Sequence, residues 1–292
     1  MLTDAPPGFL AYGVLLPAMV LGLLLAAAWW RPERRLLWLA PLGVALGWAL
    51  GFRASNGAWP ELPPGRSTEM LFYIGVLGGV VCASEPLRGA GHAKGRPVAA
   101  LTRLPSVIVA SWLLLRNLVA RWETSEVVWQ VGGAALFLWA VWSVFEGLAR
   151  KREGWLVPAV LWCVMTAGAV AFLWTGSALY AQFSGTLAAL CGAAVVVSLV
   201  WPRVSLAHGT AGALGLILGC LCVGAAHFSK LPVLASVLLG LAPGVVLIAE
   251  RGAERVTWRG VLLRALLVAV PLGIGLYLAH LAAPPPNPYD GF

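Results

Sequence analysis

About ten apolar stretches of roughly 16 to 25 residues follow one another along the chain, and short connectors between them hold nearly all ionisable side chains. A helix needs about 20 apolar residues to cross a hydrocarbon core of about 30 Å, because each residue adds about 1.5 Å. The pattern predicts an all-α fold, a polytopic integral membrane helix bundle of about ten transmembrane helices. The predicted spans are 8–30, 36–52, 69–84, 104–121, 128–148, 155–175, 178–200, 206–226, 231–249 and 260–282.

The composition agrees with this class and argues against a soluble domain. The chain is 60% hydrophobic and 11% charged, whereas soluble domains are about 25% charged. The longest predicted connectors, 53–68 and 85–103, are too short to fold independently. Residues 1–292 are therefore expected to form a single transmembrane domain.

Basic residues are distributed unevenly between the two sides of the predicted bundle. Fourteen of the twenty Lys and Arg residues lie in odd-numbered connectors and five lie in even-numbered ones. Because basic connectors stay in the cytoplasm, both termini are predicted to lie outside it. The preference for Arg over Lys, with abundant Ala and Gly, favours a bacterial source and the bacterial cytoplasmic membrane. Insertion and contact with anionic membrane lipids then explain the net charge of +8, and no nucleic-acid partner is expected.

Ten spans also allow two repeats of five, with halves 1–150 and 151–292. The fourth span opens with Thr-Arg-Leu-Pro at 102–105, and the ninth opens with Ser-Lys-Leu-Pro at 229–232. Because five is an odd number, the halves of such a duplication would be inverted relative to each other. Chance is the alternative, since a hydroxyl cap and an early proline are common at helix starts.

Four spans carry ridges of small residues at every fourth position, which let helix backbones approach closely in a membrane. We therefore expect the second, third, seventh and eighth spans to form the tightly packed centre of the bundle. The ridges are Gly43, Gly47 and Gly51; Gly75, Gly79 and Ala83; Ala181, Gly185 and Ala189; and Ala211, Gly215 and Gly219.

The predicted substrate site is a group of uncharged polar residues in the seventh span: Tyr180, Gln182, Ser184 and Thr186. A carboxamide about one turn inside the membrane needs a partner, which is a neighbouring helix, a water molecule or a ligand. Contact between helices is the competing explanation for these residues.

Two further residues belong to this predicted site. Glu69 opens the third span at the outer level, which it shares with His227, Lys230, His280 and Arg116, so we expect a polar outer vestibule there. Pro243 stands between two glycines in the ninth span, where it is predicted to kink or break the helix. Broken helices bind ions or substrates in several carriers, although many membrane prolines only bend a helix.

The connector after the third span is basic and rich in glycine. Its residues Arg88, His92, Lys94 and Arg96 are a predicted site for a phosphate or an anionic lipid head group. The alternative is a loop whose basic charge only sets the orientation of the protein.

No catalytic, metal or cofactor motif is found in the sequence, and the five cysteines fall in apolar stretches as small hydrophobic residues. The sequence thus favours a small permease-like protein that moves a neutral or weakly polar solute, or a lipid. The alternative is a non-catalytic membrane subunit or scaffold that packs against partner membrane proteins. A polar cavity that reaches the middle of the membrane would favour the carrier, and a solid bundle would favour the subunit.

Overall fold

The computed structural model describes residues 8–30, 36–87, 96–249 and 258–284, and within these ranges the chain is helical with no strand. The first helix begins with a π-helical segment, Leu10–Leu15, that continues directly into α1. The all-α class predicted from the sequence is confirmed. The helices are α1 (Leu16–Trp30), α2 (Leu39–Asn56), α3 (Ser67–Leu87), α4 (Arg96–Val119), α5 (Thr124–Lys151), α6 (Leu156–Trp174), α7 (Ala178–Val200), α8 (Thr210–Phe228), α9 (Val233–Ala249) and α10 (Trp258–Leu281).

Seven of the described helices are long and apolar enough to cross a membrane, which confirms the class of a multi-pass membrane helix bundle. They are the first helix with its π-helical start, α3, α5, α6, α7, α8 and α10. The apolar part of α9, Val233–Ile248, is shorter. Helices α2 and α4 are not among these seven, and α4 carries Arg103 and Arg116.

Successive helices run in opposite directions, so the connectors meet at two ends of the bundle. At one end the N–H of Gly154, before α6, donates to the carbonyl of Val204, after α7. We refer to this as the basic end, because α5 finishes there with Arg150 and Lys151. At the opposite end, His227 of α8 lies beside Gln130 of α5.

Helix α8 occupies the centre of the bundle. Every residue from Thr210 to Ala225 is buried, and the helix packs against α3, α5 and α9 and also contacts α2, α4 and α7. Gly215 and Gly219 let α5 approach closely, since a Cβ at these positions would meet Phe145 and Leu138. The small-residue ridge of α8 is therefore a packing surface, as the sequence predicts.

The ridges of α2, α3 and α7 differ in use. A Cβ at Gly47 would meet Leu190 of α7, and a Cβ at Gly79 would meet Ala45 of α2, so these two ridges are covered inside the bundle. Gly185 of α7 has open space around it. The expectation of a central ridge thus holds for α2, α3 and α8 but not at Gly185.

The helix contacts of the two halves of the chain match only in part. Helix α5 packs against α8 and α9 as well as α4, whereas its counterpart α10 packs against α6 as well as α9. Equivalent contacts are present for pairs that follow each other in the chain, such as α1 with α2 and α6 with α7, and the counterparts α2 and α7, like α3 and α8, contact each other. The division into two inverted repeats stays a prediction.

Two details of the sequence interpretation are corrected by the helix bounds. Residues Glu85 and Arg103, assigned to the connector 85–103, lie in helices, because α3 continues to Leu87 and α4 begins at Arg96. Helix α9 runs through Pro243 without interruption, so the helix is not broken there, whereas the predicted kink stays a prediction. Gly240 allows Phe137 of α5 to pack directly against this part of α9, which supports the helix next to its proline.

Candidate functional site

Four charged residues from three helices meet at the basic end, and we refer to Glu85, Arg103, Glu146 and Arg150 as the ionic cluster. The Nε and Nη2 atoms of Arg103 donate to the two carboxylate oxygens of Glu85, each at 2.8 Å. The Nε atom of Arg150 donates to Glu146 at 3.0 Å, and its Nη2 atom lies 3.9 Å from Glu85. The two acids and two bases have no net formal charge, and they join α3, α4 and α5.

Three of these side chains are almost fully buried. Glu85 is 5% exposed, Arg103 is 7% exposed and Glu146 is 1% exposed. Burying an ion costs several kcal/mol unless partners replace its hydration, so each of these charges depends on the others. The guanidinium of Arg103 also lies 5.3 Å from the ring centre of Trp142, in a cation–π arrangement.

The start of α8 completes the ionic cluster. The carboxylate of Glu146 accepts hydrogen bonds from the backbone N–H groups of His208 at 3.1 Å and Gly209 at 3.3 Å. Both residues have positive φ, and a Cβ at Gly209 would collide with the carbonyl oxygen of Cys82. The two N–H groups point at the carboxylate because of this backbone conformation, and the positive end of the α8 dipole favours the charge. The cluster therefore anchors the first turn of the central helix.

A cavity of about 230 Å³ opens at the opposite end between α5, α8 and α9, and we refer to it as the α5–α8–α9 cleft. Its lining is mostly apolar, and its polar side chains are Gln130, His227 and Ser236. None of the residues that line it is an Asp, Glu, Lys or Arg. The lining residues are Trp129, Gln130, Gly133, Ala134 and Phe137 of α5, Cys222, Val223, Ala226 and His227 of α8, and Val233, Ser236 and Val237 of α9.

Two of the polar side chains of the cleft, His227 and Ser236, are hydrogen-bonded to the backbone of α8. The Nδ1 atom of His227 donates to the carbonyl of Val223 at 2.9 Å, and its Nε2 atom lies 3.2 Å from the carboxamide of Gln130. The hydroxyl of Ser236 donates to the carbonyl of Cys222 at 3.3 Å. Gln130 and Ser236 keep further donor or acceptor sites, so the cleft offers hydrogen bonds without an Asp, Glu, Lys or Arg side chain.

Glu69 lies in a second, polar cavity of about 170 Å³ at the same end, with Asn56, Glu61 and Arg66. Its carboxylate accepts from the backbone N–H groups of Gly65 at 2.7 Å and Arg66 at 3.1 Å, which fixes the start of α3.

The other members of the predicted outer vestibule do not converge on this cavity. Arg116 donates to the carbonyl of Pro64, and His280 packs against Trp174. His227 lines the α5–α8–α9 cleft instead.

The predicted polar group on α7 is divided among three neighbours. Ser184 donates to the carbonyl of Met165 on α6 at 2.7 Å, and Thr186 donates to that of Gly13 at 2.9 Å. Tyr180 is buried, with its hydroxyl facing Gly224 of α8. Gln182 is half-buried and its carboxamide makes no hydrogen bond to a described residue. These hydroxyls thus connect helices, and α7 makes no substantial contact with the part of α9 that contains Pro243. The assignment of these residues to a substrate site stays a prediction.

The anionic head-group site of the sequence interpretation lies largely outside the described residues. This applies to Arg88, His92 and Lys94, and also to the side chain of Arg96, whose backbone begins α4. The ionic cluster was not identified from the sequence as a site. Its available signal was Glu85 and Arg103, two opposite charges that flank one connector at the ends of consecutive helices.

Comparison of the chain with protein-family models, curated proteins and solved structures gave no match. Among the described residues, no group of three His, Cys, Asp or Glu side chains is arranged to hold a metal ion. All five cysteines are free thiols, and four of them are buried between helices.

Proposed function

We propose that the protein is a small permease-like carrier that moves a neutral or weakly polar solute, or a lipid. The observation that supports this proposal is the difference between the two ends of the bundle. The α5–α8–α9 cleft is open at one end, whereas buried ion pairs join the helices at the other. A carrier that is open to one side of a membrane at a time needs such a difference.

Helix α5 connects the two features. Phe137 lines the inner part of the cleft, and Glu146 in the ionic cluster follows nine residues later, about 13 Å along the helix. Between them, Leu138, Trp142 and Phe145 are fully buried and separate the cleft from the basic end. A shift of α5 against α8 would therefore change both the width of the cleft and the contacts of the cluster.

A membrane subunit or scaffold is the second candidate, and it rests on the open space at Gly185. The small-residue ridge of α7 is free there, so a helix of a partner membrane protein has room to pack. The ridges of α2, α3 and α8 are covered within the chain itself, which removes most of the surface that this alternative requires.

The proposal includes a location and an orientation. We infer a bacterial cytoplasmic membrane, with the basic end in the cytoplasm and both termini outside, from the distribution of Lys and Arg. Anionic lipid head groups are the proposed partners of the basic connectors, including Arg88, His92, Lys94 and Arg96.

Access to the basic end tests the carrier proposal through Cys82. This residue lies about one turn deeper than Glu85 on α3 and is fully buried. A variant that keeps Cys82 and replaces the other four cysteines by alanine is placed in lipid nanodiscs and treated with a water-soluble maleimide. Slow labelling of Cys82 is expected, because a carrier opens this end in a fraction of the molecules.

In the variant Glu85→Gln, Cys82 should be labelled about tenfold faster, which corresponds to a free energy of opening at the basic end that is about 1.4 kcal/mol smaller. Glu61→Gln is the matched control, since Glu61 is exposed on the connector between α2 and α3 and makes no ion pair with a described residue. If Cys82 stays unlabelled in folded Glu85→Gln, the bundle is rigid at this end and the subunit is the better proposal.

A further inference from the structure

We propose that the α5–α8–α9 cleft binds a neutral amphiphile with a single alkyl chain and an uncharged hydroxyl or amide head group. The binding itself is argued from the cleft alone. Only the suggestion that this molecule is the transported one rests on the proposed function.

The size of the cleft limits the ligand to a small one. Its volume of about 230 Å³ equals roughly eight water molecules at about 30 Å³ each. Pockets for drug-sized molecules usually have about 300 to 1,000 Å³, so a phospholipid with two acyl chains is too large. The apolar walls, which include Phe137, Val223 and Val237, suit a single alkyl chain.

The cleft opens on the outer surface of the bundle, between exposed residues of α5 and α9. Trp129 at its edge on α5 is 81% exposed, and Val233 at its edge on α9 is 67% exposed. Gly133, four residues after Trp129 on α5, also lines the cleft, and a Cβ there would meet no atom within 4 Å. Because α5 has no side chain at this point, an alkyl chain dissolved in the bilayer can enter sideways without crossing water.

The polar groups of the lining determine the head group. Gln130, His227 and Ser236 offer donors and acceptors, and no Asp, Glu, Lys or Arg side chain lines the cleft. A charged head group would lose its hydration there without a carboxylate, ammonium or guanidinium group to pair with, which costs far more than the transfer of a hydroxyl or amide. The chemistry therefore selects a neutral head group next to Gln130 and His227.

The test uses a photoactivatable decanol bearing a diazirine, with the purified full chain in phosphatidylcholine nanodiscs. After irradiation, mass spectrometry identifies the labelled peptides, and decanol, decanoate or decyltrimethylammonium is added as a competitor. The decisive variant is Gly133→Trp, which fills the cleft. Gly132→Trp is its matched control, because Gly132 is the neighbouring residue, also has open space, and does not line the cleft.

We expect labelling on α5, α8 and α9 that decanol suppresses and that decreases about tenfold in Gly133→Trp but not in Gly132→Trp. Equal labelling of the two variants would overturn the proposal. Competition by the charged amphiphiles as strong as that by decanol would overturn the neutral head group. If Gly133→Trp is not recovered folded, Val237→Phe fills the cleft from α9 and is expected to give the same loss.

The failure of this proposal is distinct from failure of the carrier proposal. Labelling of the cleft is an equilibrium measurement at one end, whereas labelling of Cys82 reports opening at the other. If the cleft binds decanol but Cys82 is never labelled, the binding proposal holds and the carrier proposal is wrong. Exposure of Cys82 without a decanol site leaves a carrier for a different solute.

Discussion

At the scale of single residues, the carboxylate of Glu146 is 1% exposed and accepts hydrogen bonds from three donors. The donors are the Nε atom of Arg150 and two backbone N–H groups before α8. Arg103 and Glu85 are paired with equally good geometry. Removal of both charges of a buried ion pair is expected to destabilise the protein less than removal of one charge. The single remaining ion would keep its full desolvation cost without a partner.

Arg103→Leu is therefore expected to lower the free energy of unfolding by about 3 to 5 kcal/mol, since it leaves Glu85 buried with only the distant Arg150. The double variant Glu85→Leu with Arg103→Leu should recover most of this loss. Reversible unfolding by dodecyl sulfate in mixed micelles measures both. Arg66→Leu, on an exposed connector residue, should stay within about 0.5 kcal/mol of the wild type. A double variant as unstable as the single one would contradict the pairing.

Thr186 and Thr166 allow a second comparison at this scale. Thr186 donates to Gly13, far away in the chain, whereas Thr166 donates only to Trp162 in its own helix. Polar contacts between membrane helices contribute about 0.6 kcal/mol on average and about 1.7 kcal/mol at most. We expect Thr186→Val to cost about this much and Thr166→Val to cost less in the same unfolding measurement. Equal effects would show that the contact to Gly13 adds no stability.

The sequence indicated that the carboxamide of Gln182 needs a partner and grouped it with the α7 hydroxyls, but it did not indicate which neighbours these side chains have. Ser184 and Thr186 are two residues apart, so they point in directions about 200° apart around the helix and meet different neighbours. The spacing of these residues can be read from the sequence. The rotation of α7 about its own axis cannot, because it depends on how the other helices pack against it. This is why a group of polar residues in sequence is not a group in space.

At the scale of helices, the short link between α7 and α8 depends on one glycine. Gly209 has φ of +96°, and a Cβ on it would collide with Cys82 of α3. Gly57, at the end of α2, has φ of +72° with nothing within 4 Å. The two positions share the backbone conformation and differ in the available space.

We expect Gly57→Ala to destabilise the protein by about 1 to 2 kcal/mol, the cost of a left-handed conformation with a side chain. Gly209→Ala should cost about 1 to 3 kcal/mol more, because overpacking against α3 is added and the N–H groups that bind Glu146 are displaced. Thermal unfolding of both variants in detergent gives the difference. An effect at Gly209 no larger than that at Gly57 would argue against the close contact with α3.

Helix bounds were predictable where apolar stretches end in polar connectors, as between α6 and α7, where Gly176 makes the turn with φ of +86°. They were less predictable around Glu85 and Arg103, because charged residues were taken to mark connectors. These two charges neutralise each other, so the helices extend past them. The pairing is a property of two helices and is not visible in either stretch alone.

At the scale of the whole molecule, the sequence specified the class of the fold because long apolar stretches have one common solution in lipid. It did not specify which helices are neighbours. The contact of α5 with α8 involves residues such as Phe145 and Gly215, which are far apart in the chain and fit only after both helices are in place. The two cavities depend on the same arrangement, so Gln130 and Ser236 were not predicted.

Orientation makes a prediction that involves the whole bundle. Single cysteines at Ser125 and Lys151 lie near the two ends of α5. In a cysteine-free background, Ser125→Cys should react with an impermeant maleimide on intact cells, and Lys151→Cys should react only after permeabilisation. Reaction of Lys151→Cys on intact cells would reverse the proposed orientation and put the ionic cluster at the outer surface.

The buried position of α8 has a consequence for how the chain is made. Ribosomal synthesis delivers α2, α3, α5 and α7 to the membrane before α8, so these helices lack a common packing partner until α8 follows. The buried surface of α8 from Thr210 to Ala225 can form only after its insertion, and α9 then packs against it. Most of the native packing of this bundle is thus expected to form late, after about three quarters of the chain has been inserted.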